Sequence, residues 1–546
     1  MTPVSQTSSS RIADIVAGTF HTHGIRHAYG IPGGEVLTLI DALGRSGIRF
    51  VLCRHETPAA SMAAGTSTVN GAPGLLVTTV GPGLANAVNA IADAVQERVP
   101  LIVLSGAVDH DIRHRYTHQV LDQAALLRGL VKGSFEIEGA GAGATVARAI
   151  ELAMTVPFGP VHLDLAPGTA RLYAKAGDRV VRPADTCRLT AHPGDTAVAK
   201  FAELLASSQR PLVIAGVEAA REDAGSAVLE LCQRLQAPLI TTYKAKGLVD
   251  ETQRECLGGA GLSPLADQPL LDLVRAADTV LLAGYDPIEM RQGWLEPADS
   301  QQTVIEVCGH PYDHAMHRCD HRLVGPIAGS LGALAASIAP CQGQWSQGEP
   351  EFTRQRLQDA FAGPPHWGPH AVIETLLDVL DEDAIVTVDS GAHRILLSQK
   401  FKVRRPLGLL QSAGFCTMGV AVPLAAGAKA AAPERTTVAV VGDGGLEMGI
   451  GELATLRDEG LHIVVVVIQD ESLALIELKQ KNMQYDRRGV ELGKTHFEEI
   501  AAAFGGHGVR VTERDAFADE LVHAMRRDTF SVIVCQVEAS DYVDGI

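Results

Sequence analysis

Short runs of consecutive apolar residues recur along the whole chain, separated by Ala- and Leu-rich stretches with helical spacing. Gly74–Thr79, Val99–Leu104 and Val161–Leu165 read as strands in the first third. Pro211–Ala215, Ala237–Thr241, Thr279–Ala283 and Thr303–Val307 do so in the middle, and Ala384–Val388, Thr436–Val441 and His462–Ile468 in the last third. Strands that are apolar without alternation are buried on both faces, which predicts parallel sheets covered by helices. The expected fold class is therefore α/β, built from doubly wound parallel sheets.

Two stretches interrupt the pattern. Residues 170–195 carry scattered charges with Pro183 and Pro193, and residues 340–368 are polar and rich in Gly and Pro. They predict three domains, over residues 10–175, 195–340 and 366–546, each of ordinary domain size. The chain has 546 residues, 46% of them apolar but only 4% aromatic, which suits close-packed α/β layers. Its net charge of −18 argues against a nucleic-acid partner. The nine cysteines include no CxxC pair, so neither a disulfide framework nor a zinc site is expected, and a reducing cytoplasm is the simpler home. The polar N-terminus lacks a signal-peptide apolar region, and no apolar run approaches the roughly 20 residues of a membrane span.

The chemistry concentrates in Thr436–Gln480. A strand runs into Gly442-Asp443-Gly444-Gly445, a helix follows with Leu446, Ile450, Leu453, Ala454 and Leu456 at helical spacing, and a second strand ends at Gln469-Asp470. Glycines let the backbone approach an anion closely, and the N–H groups of the helix start face it. Asp443 and Asp470 offer hard oxygens at neighbouring strand ends, the donor type magnesium takes beside a phosphate ligand. A lone GDG would mean no more than a tight turn; the glycine turn, helix, buried strand and second acid together mean more. Upstream, Arg54-His55-Glu56 follows the strand-like Phe50–Cys53 and precedes an Ala-rich helix start. Read alone, Glu56 would be a surface partner of Arg54.

Together these segments resemble the thiamine-diphosphate enzymes, whose diphosphate motif runs from GDG to a closing Asn pair. Here the pair is Gln469-Asp470, and an Asp in the metal-binding place keeps the oxygen and adds charge. The resemblance implies a pyrimidine-binding, a central and a diphosphate-binding domain, with thiamine diphosphate held through Mg2+. Asp443, Asp470 and the main-chain carbonyl of Ser472 would be the metal ligands. Glu56 would bond the pyrimidine ring and activate the coenzyme, as a carboxyl able to share a proton in an apolar pocket. Family members join these two halves across a subunit interface, so a homodimer or homotetramer is expected.

Further stretches resemble the acetolactate synthase branch. Gly30-Ile31-Pro32-Gly33-Gly34 is similar to its early glycine turn and Thr79–Asn86 to its SGPG-type loop. Gln119 matches a pocket glutamine, and His118 stands where that branch has Phe. Gly391-Ala392-His393 lies in a diphosphate-contacting loop by the same resemblance. Met418 would wedge under the bent cofactor, or else simply fill core space. Leu475 and Ile476 are candidates for the pocket wall or for helix core. The central region lacks the flavin-binding arginine, with Gly284–Glu289 and Glu306-Val307-Cys308 in the relevant places, so FAD is not expected.

The resemblance implies decarboxylation of a pyruvate-like 2-oxo acid followed by carboligation to an acceptor carbonyl, with Glu56, Gln119 and His118 as catalytic residues. Cleavage of a 2-hydroxy ketone or acyl-CoA, simple decarboxylation, and acetyl transfer to phosphate stay open within the fold. A non-catalytic cofactor-binding subunit is the rival from another class; a scaffold would need neither Glu56 nor the acidic pair.

Overall fold

The structure is a computed structural model, described here for residues 10–175, 177–184, 191–192, 194–312, 314–340, 345 and 347–542. The N-terminal nine residues, Cys187, Pro193 and Cys341 lie outside these. The described residues carry three six-stranded sheets in which every strand pair is parallel.

The first sheet holds β1 (His27–Gly30), β2 (Arg49–Leu52), β3 (Gly74–Thr78), β4 (Leu101–Gly106), β5 (Ser134–Glu136) and β6 (Val161–Leu165), in the order β2-β1-β3-β4-β6-β5. The second holds β7 (Pro211–Ala215), β8 (Leu239–Thr242), β9 (Cys256–Ala260), β10 (Thr279–Ala283), β11 (Thr303–Cys308) and β12 (His321–Val324), in the order β12-β11-β10-β7-β8-β9. The third holds β13 (Ile385–Val388), β14 (Leu409–Gln411), β15 (Thr437–Gly442), β16 (Val464–Gln469), β17 (His507–Val511) and β18 (Ser531–Gln536), ordered β14-β13-β15-β16-β18-β17. The first and third sheets thus share one strand order. In each, the crevice between the first and third strands in sequence is the switch point where open α/β sheets take their ligands.

The central strands are buried on both faces, as their unbroken apolar runs require: Leu75, Leu76, Val77, Val465, Val466 and Val467 are all fully buried. The run read from Val99 begins pairing at Leu101, because Pro100 has no N–H to offer a neighbour. The helix read after Gly445 is broken into Asp443–Gly449, a single 3-10 turn at Ile450–Glu452, and Leu453–Glu459. Gly449 and Gly451 weaken the helix there.

The chain forms two compact units. One comprises Met1–Thr186, Val422–Glu434 and Gly449–Leu461; the other comprises Cys187–Ala421, Arg435–Met448 and His462–Ile546. Within the first, the helices Glu56–Asn70 and Ala421–Ala431 cross with their backbones in touch. A Cβ on Gly65 would lie 2.3 Å from the Leu424 carbonyl oxygen, and one on Gly427 would lie 1.9 Å from that of Met62. The Thr66 hydroxyl donates to the Gly427 carbonyl at 2.9 Å across the same crossing. Among the described residues no helix is long and apolar enough to cross a membrane, and the seven described cysteines are free.

Candidate active site

In the first unit, β2 ends at Leu52 and the chain turns into the helix Glu56–Asn70, whose first residue is the predicted activating carboxylate. His55 caps this helix, its Nδ1 accepting the Thr57 N–H at 3.1 Å. Glu56 is 5% exposed, and the Asn86 side-chain amide donates to its Oε2 at 3.0 Å. Arg54 is not its partner but pairs with Asp458. The other carboxylate oxygen faces Gly83, where a Cβ would stand 3.3 Å from Oε1.

Glu452, which sequence reasoning did not single out, fixes the approach to this helix. It is 1% exposed. Its Oε1 accepts the backbone N–H of Arg54 at 2.8 Å and of His55 at 3.0 Å, and its Oε2 accepts the Thr455 hydroxyl at 2.6 Å. Burial raises its pKa, against these hydrogen bonds.

His118 and Gln119 lie in an exposed loop. Gln119 has φ +57°, and its carbonyl oxygen sits so close to Gly81 that a Cβ there would come within 2.3 Å. Gly81, itself at φ +67°, is therefore required by both conformation and space. Buried Gln123 ties the turn down. Its Oε1 accepts the Gly81 N–H at 2.9 Å, and its Nε2 donates to the Gly106 carbonyl at 3.1 Å and to Asp164 at 2.6 Å.

In the second unit, β15 and β16 are adjacent and in register, with Gly442 opposite Ile468. Asp443 follows β15 and Asp470 follows β16, so the two acids stand at neighbouring strand tips. The helix Asp443–Gly449 begins directly after the strand's last residue. Asp443 Oδ1 accepts the Gly444 N–H at 2.8 Å, Asp443 Oδ2 accepts the Glu471 N–H at 2.7 Å, and Asp470 Oδ1 accepts the Ser472 N–H at 3.0 Å. Burial, and then the charge of Asp443, push the Asp470 pKa up to about 7; burial also raises that of Asp443. Two carboxylates crowded out of water in this way are an incomplete electrostatic arrangement that a divalent cation would complete. The Ser472 hydroxyl is turned toward Glu477.

The tip of β13 faces the same edge. Asp389, fully buried, accepts the N–H groups of Gly419 and Val420, each at 2.9 Å. Burial lifts its pKa to about 6. A Cβ on Gly445 would fall 2.0 Å from Asp389 Oδ2, so only glycine fits the third residue after Gly442. His393, one residue into the helix Ala392–Lys400, is buried, and burial with the Arg394 charge holds its pKa down to about 3. Its Nε2 and the Ser390 Oγ are buried without a hydrogen-bond partner. Buried orphan polar atoms call for a ligand, and a glycine cradle beside a helix start and two metal-type carboxylates fits a diphosphate with its Mg2+. Gly391 and Gly442 both lie against the His393 ring, where a Cβ would come within 2.5 Å and 3.0 Å of Cε1.

Met418 is half-buried in the loop before Gly419, its Cε 4.0 Å from where a Gly444 Cβ would be. Leu475 packs against the core of the third sheet, whereas Ile476 is exposed.

Three regions of the chain match families of the thiamine pyrophosphate enzymes: the N-terminal TPP binding domain at residues 10–126, the central domain at 198–334 and the C-terminal TPP binding domain at 389–535. The chain is 28% identical to the acetolactate synthase of Bacillus subtilis (strain 168), over 98% of this chain and 94% of that protein. It is 27% identical to the probable acetolactate synthase large subunit of Methanocaldococcus jannaschii, over 94% and 89% of the two chains. With acetolactate synthase isozyme 3 large subunit of Escherichia coli (strain K12) it shares 27% identity over 97% and 95%. The matched regions take in the whole second sheet, most of the other two, the buried glutamate and the paired aspartates, and the chain belongs to the thiamine pyrophosphate enzymes.

Proposed function

We propose that the chain decarboxylates a pyruvate-like 2-oxo acid and joins the remaining acyl fragment to an acceptor carbonyl, as an acetolactate synthase-like carboligase. The observation that carries this reading is the pairing of Asp443 and Asp470 at adjacent strand tips, where burial and mutual repulsion hold the Asp470 pKa near 7. The full-length similarity to acetolactate synthases supports the reaction class.

Thiamine diphosphate, when bound, supplies an electron sink beside the substrate carbonyl carbon. The chain's own residues do the rest. Asp443, Asp470 and the Ser472 carbonyl would hold Mg2+, while the N–H groups of Gly444 and Gly445, with His393 and Ser390, would receive the diphosphate. Gly391, Ala392 and Gly442 leave it room, and Met418 would support the coenzyme from below. Glu56, kept from water and oriented by Asn86, would share a proton with the pyrimidine ring through its carboxyl oxygen. Gln119 and His118 would meet the substrate.

We place the catalytic unit in a homodimer or homotetramer, in a reducing cytoplasm in keeping with the free cysteines, with domains over 10–175, 195–340 and 366–546. No FAD is assigned to the central domain. At its switch point the Glu218 N–H already bonds the Gly284 carbonyl, and buried Glu218 and Glu306 would oppose a diphosphate. The test is Glu56→Gln: turnover should be abolished while calorimetry still registers coenzyme uptake, and near-normal carbon dioxide release from pyruvate would overturn the assignment.

A further inference from the structure

The geometry points to a second anion site, in the second unit and outside the coenzyme cradle: a cavity of about 550 Å3 that takes a small phosphate ester with an apolar or planar part. Its walls come from the segment before β9, from the helix Glu349–Ala360 and from the end of the helix Ala392–Lys400. The volume is in the usual range for small-molecule sites. That last helix has His393 near its start and Gln399 and Lys400 at its end, which at about 1.5 Å per residue sets the cavity roughly 10 Å away from the diphosphate cradle.

Charge decides the ligand class. Two acids and four bases line the cavity, and both acids are already engaged. Glu251 is gripped by Lys246 at 2.7 and 2.8 Å and by the Val403 N–H at 2.8 Å. Glu374 is held by Lys400 at 2.7 Å and by Arg514 at 2.5 Å. Arg354 spends its guanidinium on the carbonyls of Cys256 and Arg254 and on exposed Glu351 at 3.3 Å. The Arg254 guanidinium and the Lys402 ammonium make no hydrogen bond or ion pair among the described residues. In a chain with 64 acids to 46 bases, two cations left facing one concavity beside a third are a local reversal of sign. The Lys402 pKa is lowered, by desolvation first and then by Lys246 and Arg354, with Glu251 opposing.

The remaining wall suits the rest of such a ligand. Leu257, Leu357 and Phe361 offer an apolar floor, and Gln253 and Gln358 offer amides at the rim. A phosphate would sit between Arg254 and Lys402 by charge-assisted hydrogen bonds, with its organic part on the floor.

The coenzyme-loaded protein is titrated calorimetrically with adenosine monophosphate, and separately with inorganic phosphate, at low ionic strength. The expected result is saturable binding of at least one probe. It should weaken about tenfold or more in the double variant Arg254→Ala/Lys402→Ala, the usual worth of lost charge-assisted contacts. Coenzyme affinity and kcat should be unchanged in that variant, which reports that it folds. Tighter binding of the nucleotide assigns a share to the apolar floor; equal binding assigns recognition to the cations alone. Absence of saturable heat with both probes, or a double variant that binds as the unaltered protein does, overturns the site.

Discussion

The Glu452 carboxylate accepts the backbone N–H of His55 at 3.0 Å, the residue directly before Glu56. The same oxygen takes the Arg54 N–H, so one buried side chain sets where the helix that starts at Glu56 begins. Glu452→Ala leaves two backbone donors without a partner, at about 1–3 kcal/mol each. We expect kcat to fall by about tenfold to a hundredfold in this variant, with a smaller change in coenzyme affinity. Glu452→Gln, which keeps an acceptor oxygen, should recover most of the rate. Steady-state kinetics beside calorimetry decide it; an alanine variant with undiminished kcat rules out the positioning role.

Asn86 donates the hydrogen bond that Glu56 receives at 3.0 Å. Asn86→Ala should cost roughly 1.5–3 kcal/mol of that interaction, the worth of a bond to a charged group. It should appear as a loss of kcat with thermal stability nearly intact, and a large drop in melting temperature would instead mark Asn86 as structural.

Gly445 has no room for a methyl group, because its Cβ would fall 2.0 Å from Asp389 Oδ2. Gly445→Ala must push Asp389 off the Gly419 and Val420 N–H groups, and with them the loop that carries Met418. We expect coenzyme affinity to fall at least about tenfold, consistent with strain of one to three kcal/mol from overpacking, together with a lower melting temperature. Gly493→Ala, with open space where its Cβ would go, serves as the control.

The Asp389 carboxyl ionises near the ordinary value of 3.8 in the unfolded chain but only at about 6 in the fold, because it is buried. A raised carboxyl pKa means that the folded state holds the proton longer. Its contribution is therefore complete below about pH 4 and is lost as pH rises to about 6. The stability of the unaltered coenzyme-free protein relative to Asp389→Asn should decline across this window by up to about 3 kcal/mol. Denaturant midpoints of both proteins at pH 4.5 and pH 7 measure the change; an unaltered protein that gains stability relative to the variant between the two contradicts it.

Lys246 and Glu251 form an ion pair whose side chains are each 1% exposed. Removing one partner strands a buried charge, so Glu251→Ala should lower stability by about 3–5 kcal/mol. Replacing both, with Lys246→Met and Glu251→Leu, should cost less than the single change, as read from unfolding midpoints.

Much of this was legible in the chain itself, and the reasons are local. The tips of β15 and β16 could be read because unbroken valine runs mark doubly buried strands and glycines mark the turn between strand and helix. Glu56 could be read only beside that motif, since a lone acid after an arginine looks like a surface pair. Glu452 could not be read, because its partners lie 397 and 398 residues away in sequence. The break at Gly449–Glu452 was hidden by apolar residues that keep helical spacing across it. β5 and β14 are three residues long, too short for any period to show, and β9 contains Gly258 and Gly259, which have no side chain to signal burial.

The crossing of Gly65 and Gly427 has a bearing on how the protein is made. One compact unit draws its material from Met1–Thr186, Val422–Glu434 and Gly449–Leu461, so the first sheet leaves the ribosome long before the helix that covers Gly65 exists. Until residue 431 has emerged, that small-residue face of the nascent chain is bare, and it must wait in water or be sheltered by a chaperone. A fragment cut at the linker near residue 180 would keep all six strands of its sheet and still lack the lid on its buried helix.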